Sequence, residues 1–292
     1  MQSFPEPPDE RTGEVCLPEF TASDGVSIAY DDEGDGRPIL LLHGLMANSA
    51  FFEPQRALAD QFRLIRIDLR GHGRSGSGGS LPTISRLAKD VAQLAGRLDL
   101  QEAIGVGWSL GASVLWHLLA EPSSHRFDAA VIVDMTPRVR NDADWTLGLS
   151  PELCAARSRA MRDDFPAFAA AAGSAIFAQG PAPHPLAAWA SGAFARSDPD
   201  AVAAIWASLI EEDYRAILPT IRQPTLIAHG AGSHLYGADT ADHLAGALSN
   251  ARSIAFTQSG HSPHLEEPEL FNDSLRAFAA ELPPVRRHRA TA

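Results

Sequence analysis

Residues 102–120 read EAIGVGWSLGASVLWHLLA. The stretch opens on an apolar run with strand character, Ala103-Ile104-Gly105-Val106, and closes on ASVLWHLLA, which reads as a helix. Between them stands Gly107-Trp108-Ser109-Leu110-Gly111. A strand that runs straight into a helix needs small residues on both sides of the turning residue, so that the strained backbone can close. The residue at the apex is pushed out above the sheet edge, near a helix N-terminus whose N–H groups and dipole favour negative charge. Ser109 therefore reads as a nucleophile. The competing reading is a serine N-cap beside packing glycines.

Outward from this turn, strands and helices alternate. PILLLHG (38–44), AAVIVDMTP (129–137), TLIAHG (225–230) and RSIAFTQSGH (252–261) read as strands, as does VSIAY (26–30), and FRLIRIDLRGHGRSG (62–76) reads as a strand running into a Gly-rich loop. Most are near-continuous apolar runs, the mark of strands covered on both faces. Residues 83–98 carry Ile84, Leu87, Ala88, Val91, Leu94 and Leu98 at helical spacing, with Thr83 as N-cap. Helices are also expected around 238–248 and over 267–282. The predicted fold is α/β: a mostly parallel central sheet with helices on both faces. Between about 138 and 215 strands vanish, alanine dominates, and Trp145, Phe165, Phe168, Phe177, Trp189, Phe194 and Trp206 recur. This reads as a helical insertion, too long for an ordinary connection. The expected organisation is a flexible tail (1–20), a core (21–137 and 216–282), a helical cap or lid (138–215) and a second flexible tail (283–292).

The chain has 292 residues with 45% hydrophobic and 21% charged content, which suits a soluble globular protein. A net charge of −12 argues against nonspecific binding to nucleic acid or to an anionic membrane surface. No apolar run approaches the ~18 residues of a membrane span, and the N-terminus lacks the basic and apolar regions of a signal peptide. Cys16 and Cys154 are far apart, without metal-ligand spacing, and read as free thiols of a reducing cytoplasm. Lys89 is the only lysine against many arginines, which points to GC-rich bacterial coding. No metal or cofactor is expected.

LLLHG (40–44), DLRGHGRS (68–75), GWSLG (107–111) and SGHSPHLEEPELF (259–271) together resemble the α/β-hydrolase superfamily, across most of residues 24–137 and 216–282. The serine at position 109 departs from the branches that use an aspartate nucleophile. The resemblance implies a histidine base after the last strand. His261 fits, preceded by Gly260, and His264 is its rival. It also implies two backbone N–H donors for the oxyanion, from Leu110 and from Leu45 after His43-Gly44. His43, Asp68, Arg70 and His72 read as loop-shaping residues.

The third member of such a triad orients the histidine and stabilises its cation. In most of the superfamily it lies a few residues past the glycine that ends the next-to-last strand, which here puts Ser233 at the acid's position. Asp239 and Asp242 follow, but at the start of a predicted helix, where Asp239 suits an N-cap or first turn. Asp134 ends AAVIVD, the strand that the resemblance places beside the nucleophile strand. A carboxylate there needs a partner, because burying it alone is costly. Asp134 is the favoured acid, with Asp239 or Asp242 and no functional acid as alternatives.

The expected function is hydrolysis of a small or medium apolar carboxylic ester or lactone by Ser109, His261 and Asp134 through an acyl-enzyme. Trp108, Met46 and Tyr236 are expected in the pocket. Two alternatives stand beside it. One is a cofactor-independent lyase, C–C hydrolase or oxygenase on the same fold; the other is a small-molecule receptor that retains the triad.

Overall fold

The computed structural model describes residues 18–180 and 183–285. Its centre is an eight-stranded sheet in the order β1-β2-β4-β3-β5-β6-β7-β8. The strands are β1 (Glu19–Thr21), β2 (Ser27–Glu33), β3 (Arg37–Leu42), β4 (Phe62–Ile67), β5 (Ala103–Trp108), β6 (Phe127–Val133), β7 (Thr225–Gly230) and β8 (Ala251–Phe256). From β4 to β8 every pairing is parallel, while β1 and β2 are antiparallel additions at one edge. Strands β3, β5 and β7 are buried at every position, as their continuous apolar runs require when helices cover both faces. Strand β1 begins at Glu19, ahead of the expected core boundary at 21. Residues 1–17 of the expected N-terminal tail, with Cys16, lie outside the described residues, as do residues 286–292 of the C-terminal one.

Helix α1 (Ile84–Arg97) starts where its cap predicts, with Thr83 Oγ1 accepting from Arg86 N–H at 3.2 Å. Helix α2 (Leu110–Ala120) follows β5 with no intervening loop. Helices α3 (Pro151–Asp163), α4 (Phe165–Ala175), α5 (Ala187–Phe194) and α6 (Pro199–Leu209) form the insertion between β6 and β7. Helix α7 (Ala238–Ala247), the short α8 (Pro263–Glu266) and α9 (Pro268–Ala280) complete the core. A 3-10 segment, Ser49–Leu58, follows the loop after β3; it contains Pro54 and buries Phe51, Phe52 and Leu58.

Topology positions the site. The chain leaves β4 on one side of β3 and returns as β5 on the other, so the C-terminal ends of β3 and β5 flank a switch point, where open α/β sheets place ligands. In the parallel register Gly107 pairs with Ile132 and Trp108 with Val133. The next residues, Ser109 and Asp134, leave neighbouring strands at the same edge.

Candidate active site

Ser109 sits at φ +52°, ψ −119°, a region a non-glycine residue occupies only when its surroundings hold it there. Two features hold it. Its N–H donates to Val133 O at 3.0 Å, extending the β5–β6 ladder by one residue. Gly107 and Gly111 then let β5, α2 and β3 close together. A Cβ on Gly111 would lie 2.0 Å from Leu42 O, and one on Gly107 would lie 2.6 Å from Ala112 N. Ser109 is half-buried and opens onto a cavity of about 270 Å³.

Asp134 is the counterpart on β6. Its φ is +45°, and its N–H donates to Ala228 O at 2.9 Å, so the β6–β7 ladder fixes it as the β5–β6 ladder fixes Ser109. The carboxylate is fully buried. Oδ2 lies 2.6 Å from His261 Nδ1 and accepts the Ser233 hydroxyl, also at 2.6 Å. Asp239 and Asp242 are exposed on α7 and make no hydrogen bond to His261. Asp239 stands in the first turn, after an N-cap supplied by Gly237.

His261 is buried, and with Nδ1 committed to Asp134 its Nε2 is the edge left for proton transfer. Its loop is tied from three sides. Trp108 Nε1 donates to His261 O at 2.8 Å. The Glu266 carboxylate accepts from the N–H groups of Gly260 (2.8 Å) and Ser262 (3.2 Å), which flank the histidine. It also accepts from Ala178 N–H (2.7 Å), in the insertion. Burial raises the Glu266 pKa against these bonds. In sequence, Glu266 reads only as an acid at a helix start. Its clamp on the histidine loop depends on Ala178, distant in the chain.

His264 is fully buried among the rings of Phe52, Trp108 and Phe271. Neither ring nitrogen has a hydrogen-bond partner among the described residues. Burial, aided by His261, pushes its pKa down to about 3. It is a neutral core ring that does not line the cavity.

Of the two residues expected to supply oxyanion donors, Leu45 lies in the turn after β3, and its N–H donates to no described residue. Leu110 is the first residue of α2, where backbone N–H groups have no intrahelical acceptor. His43 holds the turn in place: Nδ1 bonds Gly44 O at 2.7 Å and Nε2 accepts from Leu69 N–H at 3.0 Å. That pattern fixes the neutral tautomer with its proton on Nδ1, and burial lowers the His43 pKa accordingly. Asp68 accepts from Ser49 and Arg74 N–H groups, Arg70 pairs with Asp90, and His72 bonds Arg70 O. None of these lines the cavity.

Trp108, Met46 and Tyr236 all line it, and the Tyr236 ring lies 5.9 Å from that of His261. Ser197 Oγ donates to Met46 O at 3.1 Å, joining the insertion to the Leu45 turn. The insertion's aromatic residues divide. Phe168, Phe194 and Trp206 face the cavity, whereas Trp145 packs against His243 and Arg215 and Phe177 stacks on His184. Arg157 and Met161, from α3, also line the cavity. Cys154 is a free, buried thiol. Among the described residues no group of His, Cys, Asp and Glu side chains could hold a metal ion, and no helix is long and apolar enough to cross a membrane.

The chain matches the model of the Alpha/beta hydrolase family over residues 39–274. A pimeloyl-[acyl-carrier protein] methyl ester esterase of Nitrosomonas europaea is 28% identical over 256 residues, covering 84% of this chain and 96% of that protein. A non-heme chloroperoxidase of Streptomyces lividans is 30% identical over 275 residues, covering 88% and 98%. Among solved structures, an esterase from Exiguobacterium antarcticum superposes with a TM-score of 0.85 at 26% identity, covering 90% of this chain and 99% of the other.

Proposed function

The chain belongs to the alpha/beta hydrolase family, and on that footing we propose that it cleaves small-to-medium apolar carboxylic esters or lactones through an acyl-enzyme on Ser109. The observation that carries this reading is the 2.6 Å bond between His261 Nδ1 and the buried Asp134 carboxylate, in a loop beside the cavity that Ser109 enters. Serine is a weak nucleophile unless a base takes its proton. His261 Nε2 removes the Ser109 proton as Oγ attacks the carbonyl carbon, and the imidazolium that forms is stabilised by Asp134. The negative charge on the carbonyl oxygen meets the N–H groups of Leu45 and Leu110, backed by the α2 dipole. His261 then protonates the leaving alcohol. A water deprotonated by the same nitrogen attacks the acyl-enzyme, releasing acid and free serine.

The substrate range follows from the lining. The cavity of about 270 Å³ is slightly below the ~300–1,000 Å³ of sites for drug-sized ligands. Its walls are mainly Met, Leu, Phe, Trp and Ala side chains, which favour an apolar body. The insertion acts as a cap over Ser109. The esterase names of the relatives agree with this reaction class.

A panel of p-nitrophenyl esters and lactones tests the reading on wild type and Ser109→Ala. Multiple turnover that needs Ser109, with a mass increment on the peptide containing it, is the expected result. Turnover that survives Ser109→Ala excludes Ser109 as nucleophile. Tight ligand-induced stabilisation without multiple turnover favours a receptor.

A further inference from the structure

The cavity is apolar except at its reacting end and at one other place, Arg157. Its guanidinium carbon lies 5.9 Å from the centre of the Trp206 ring, another lining residue. Arg157 makes no ion pair and no hydrogen bond among the described residues. This sets it apart from the chain's other arginines. Those sheltered from solvent are matched by acids: Arg70 by Asp90 and Asp24, Arg66 by Glu53 and Glu33, Arg37 by Asp128. Among the described residues, the others without an ion pair are Arg97, Arg159, Arg162, Arg196 and Arg222, and all of these are exposed. Arg157 is half-buried and unpaired, facing the cavity. Partial withdrawal of a cation from water without a counter-charge carries a cost, and the cation–π contact with Trp206 offsets only part of it.

We propose that Arg157 receives a carboxylate carried by the substrate, so that the preferred substrates are esters or lactones with a free carboxylate remote from the scissile carbonyl. A planar carboxylate matches the guanidinium fork with two parallel hydrogen bonds. The charges also balance: one arginine neutralises one carboxylate, whereas a phosphate dianion would bring an unmatched charge into an apolar cavity. The Trp206 ring gives the fork a flat support, and the aliphatic walls take the chain between the two ends. Arg157 also exerts a field inside the cavity, opposing the burial-driven rise in the Tyr236 pKa. The inference deepens the esterase reading and rests on Ser109 facing this same cavity.

The experiment compares monomethyl with dimethyl esters of succinic, glutaric, adipic and suberic acids, in wild type, Arg157→Met and Arg157→Lys. At the best-fitting length, kcat/KM for the monomethyl ester is expected to exceed that for the diester by about tenfold or more. Arg157→Met is expected to lower kcat/KM on the monomethyl ester by about 10–100-fold, the range of charge-assisted hydrogen bonds. Most of the loss should fall in KM, should exceed the loss on the diester by about tenfold, and should be partly restored in Arg157→Lys. No preference for the monomethyl ester at any length, or equal losses on both esters, overturns the proposal. Calorimetry of the matching dicarboxylic acid half-amides with Ser109→Ala separates the two readings. Arg157-dependent binding alongside serine-independent ester turnover rejects the esterase mechanism and keeps the carboxylate site. Serine-dependent turnover indifferent to substrate charge does the reverse.

Discussion

The Ser233 hydroxyl donates to Asp134 Oδ2 over 2.6 Å, and that oxygen is also the partner of His261 Nδ1. Ser233 stands where most of the superfamily carries the acid after the next-to-last strand. On the proposed reading the acid lies one strand closer to the serine, at the end of β6, and Ser233 donates a hydrogen bond to it. Asp134 Oδ1 has no partner among the described residues, so the protein's hold on this buried charge runs through Oδ2 alone.

Asp134→Asn removes the acceptor that keeps the His261 proton on Nδ1, and the imidazole then loses its working tautomer. By comparison with triad acids in other serine hydrolases, kcat on a p-nitrophenyl ester should fall by about 10⁴. Asp239→Asn and Asp242→Asn alter exposed side chains on α7 and should stay within about threefold of wild type. Steady-state kinetics of the three variants decide the assignment, and a reversed order rejects it.

The bond from Ser233 makes a second prediction possible. Ser233→Ala leaves His261 as the sole partner of a buried charge. A hydrogen bond to such a group contributes about 1.5–3 kcal/mol, so kcat should drop about tenfold or more. Relocation is the sharper test. In the Asp134→Asn background, Ser233→Asp puts a carboxylate back within reach of His261, from the superfamily's commoner position. The double variant should recover at least about tenfold over Asp134→Asn. Alone, Ser233→Asp sets two carboxylates against each other, forcing one to hold a proton, and should lower activity. Failure of the double variant to exceed Asp134→Asn means that the loop cannot present an acid to this histidine.

The parts of the site legible in sequence are those set by local rules. Ser109 and Asp134 each directly follow a buried apolar strand, and parallel register then brings them to one edge. The glycines around Ser109 mark the turn. The histidine loop carries its own spacing. Strand β1 is not legible in sequence because three residues, exposed at both ends, have no pattern of their own and exist as a strand only through pairing with β2. The insertion's helical character was legible, but not which aromatic residues face inward. Trp145 and Trp206 look alike in sequence, and only packing sends one to the surface of α7 and the other to the cavity. Arg157 was unreadable for a similar reason. An arginine on a helix is ordinarily solvated, and the lack of an acid beside it is a property of the tertiary structure.

Glycine substitutions test the elbow, because one change has opposite signs at different sites. Gly111→Ala drives a methyl group toward Leu42 O, with only 2.0 Å available, so α2 must move away from β3. Overpacking of this kind costs about 1–3 kcal/mol, which is a Tm decrease of roughly 2–5 °C in a chain of this size. The shift carries Ser109 and the Leu110 N–H with it, so kcat should fall as well. Gly96→Ala in α1 and Gly246→Ala in α7 meet nothing within 4 Å and should stabilise by about 0.4–1 kcal/mol. Thermal melts of the three proteins give the comparison; an unchanged Tm in Gly111→Ala would falsify the close approach of α2 to β3.

His264 makes acid sensitivity the last prediction. Its pKa falls from an ordinary 6.5 to about 3 because burial among Phe52, Trp108 and Phe271 disfavours the cation. Between those values the unfolded chain binds a proton that the folded chain refuses, so stability rises with pH and is lost as pH falls below about 6.5. His72, also held near 3 by burial, acts in the same direction. Each such histidine contributes a slope of up to about 1.4 kcal/mol per pH unit. His264→Phe keeps a ring in the aromatic box and removes one of these protons. Between pH 6.5 and 4.5 it should lose less stability than wild type, by on the order of 2 kcal/mol, in urea titrations. At pH 7.5 its kcat should remain within about threefold of wild type, because His264 does not line the cavity. Equal acid losses in the two proteins would remove burial of His264 as a source of the pH dependence. A collapse of kcat at pH 7.5 would make His264, not His261, the base to reconsider.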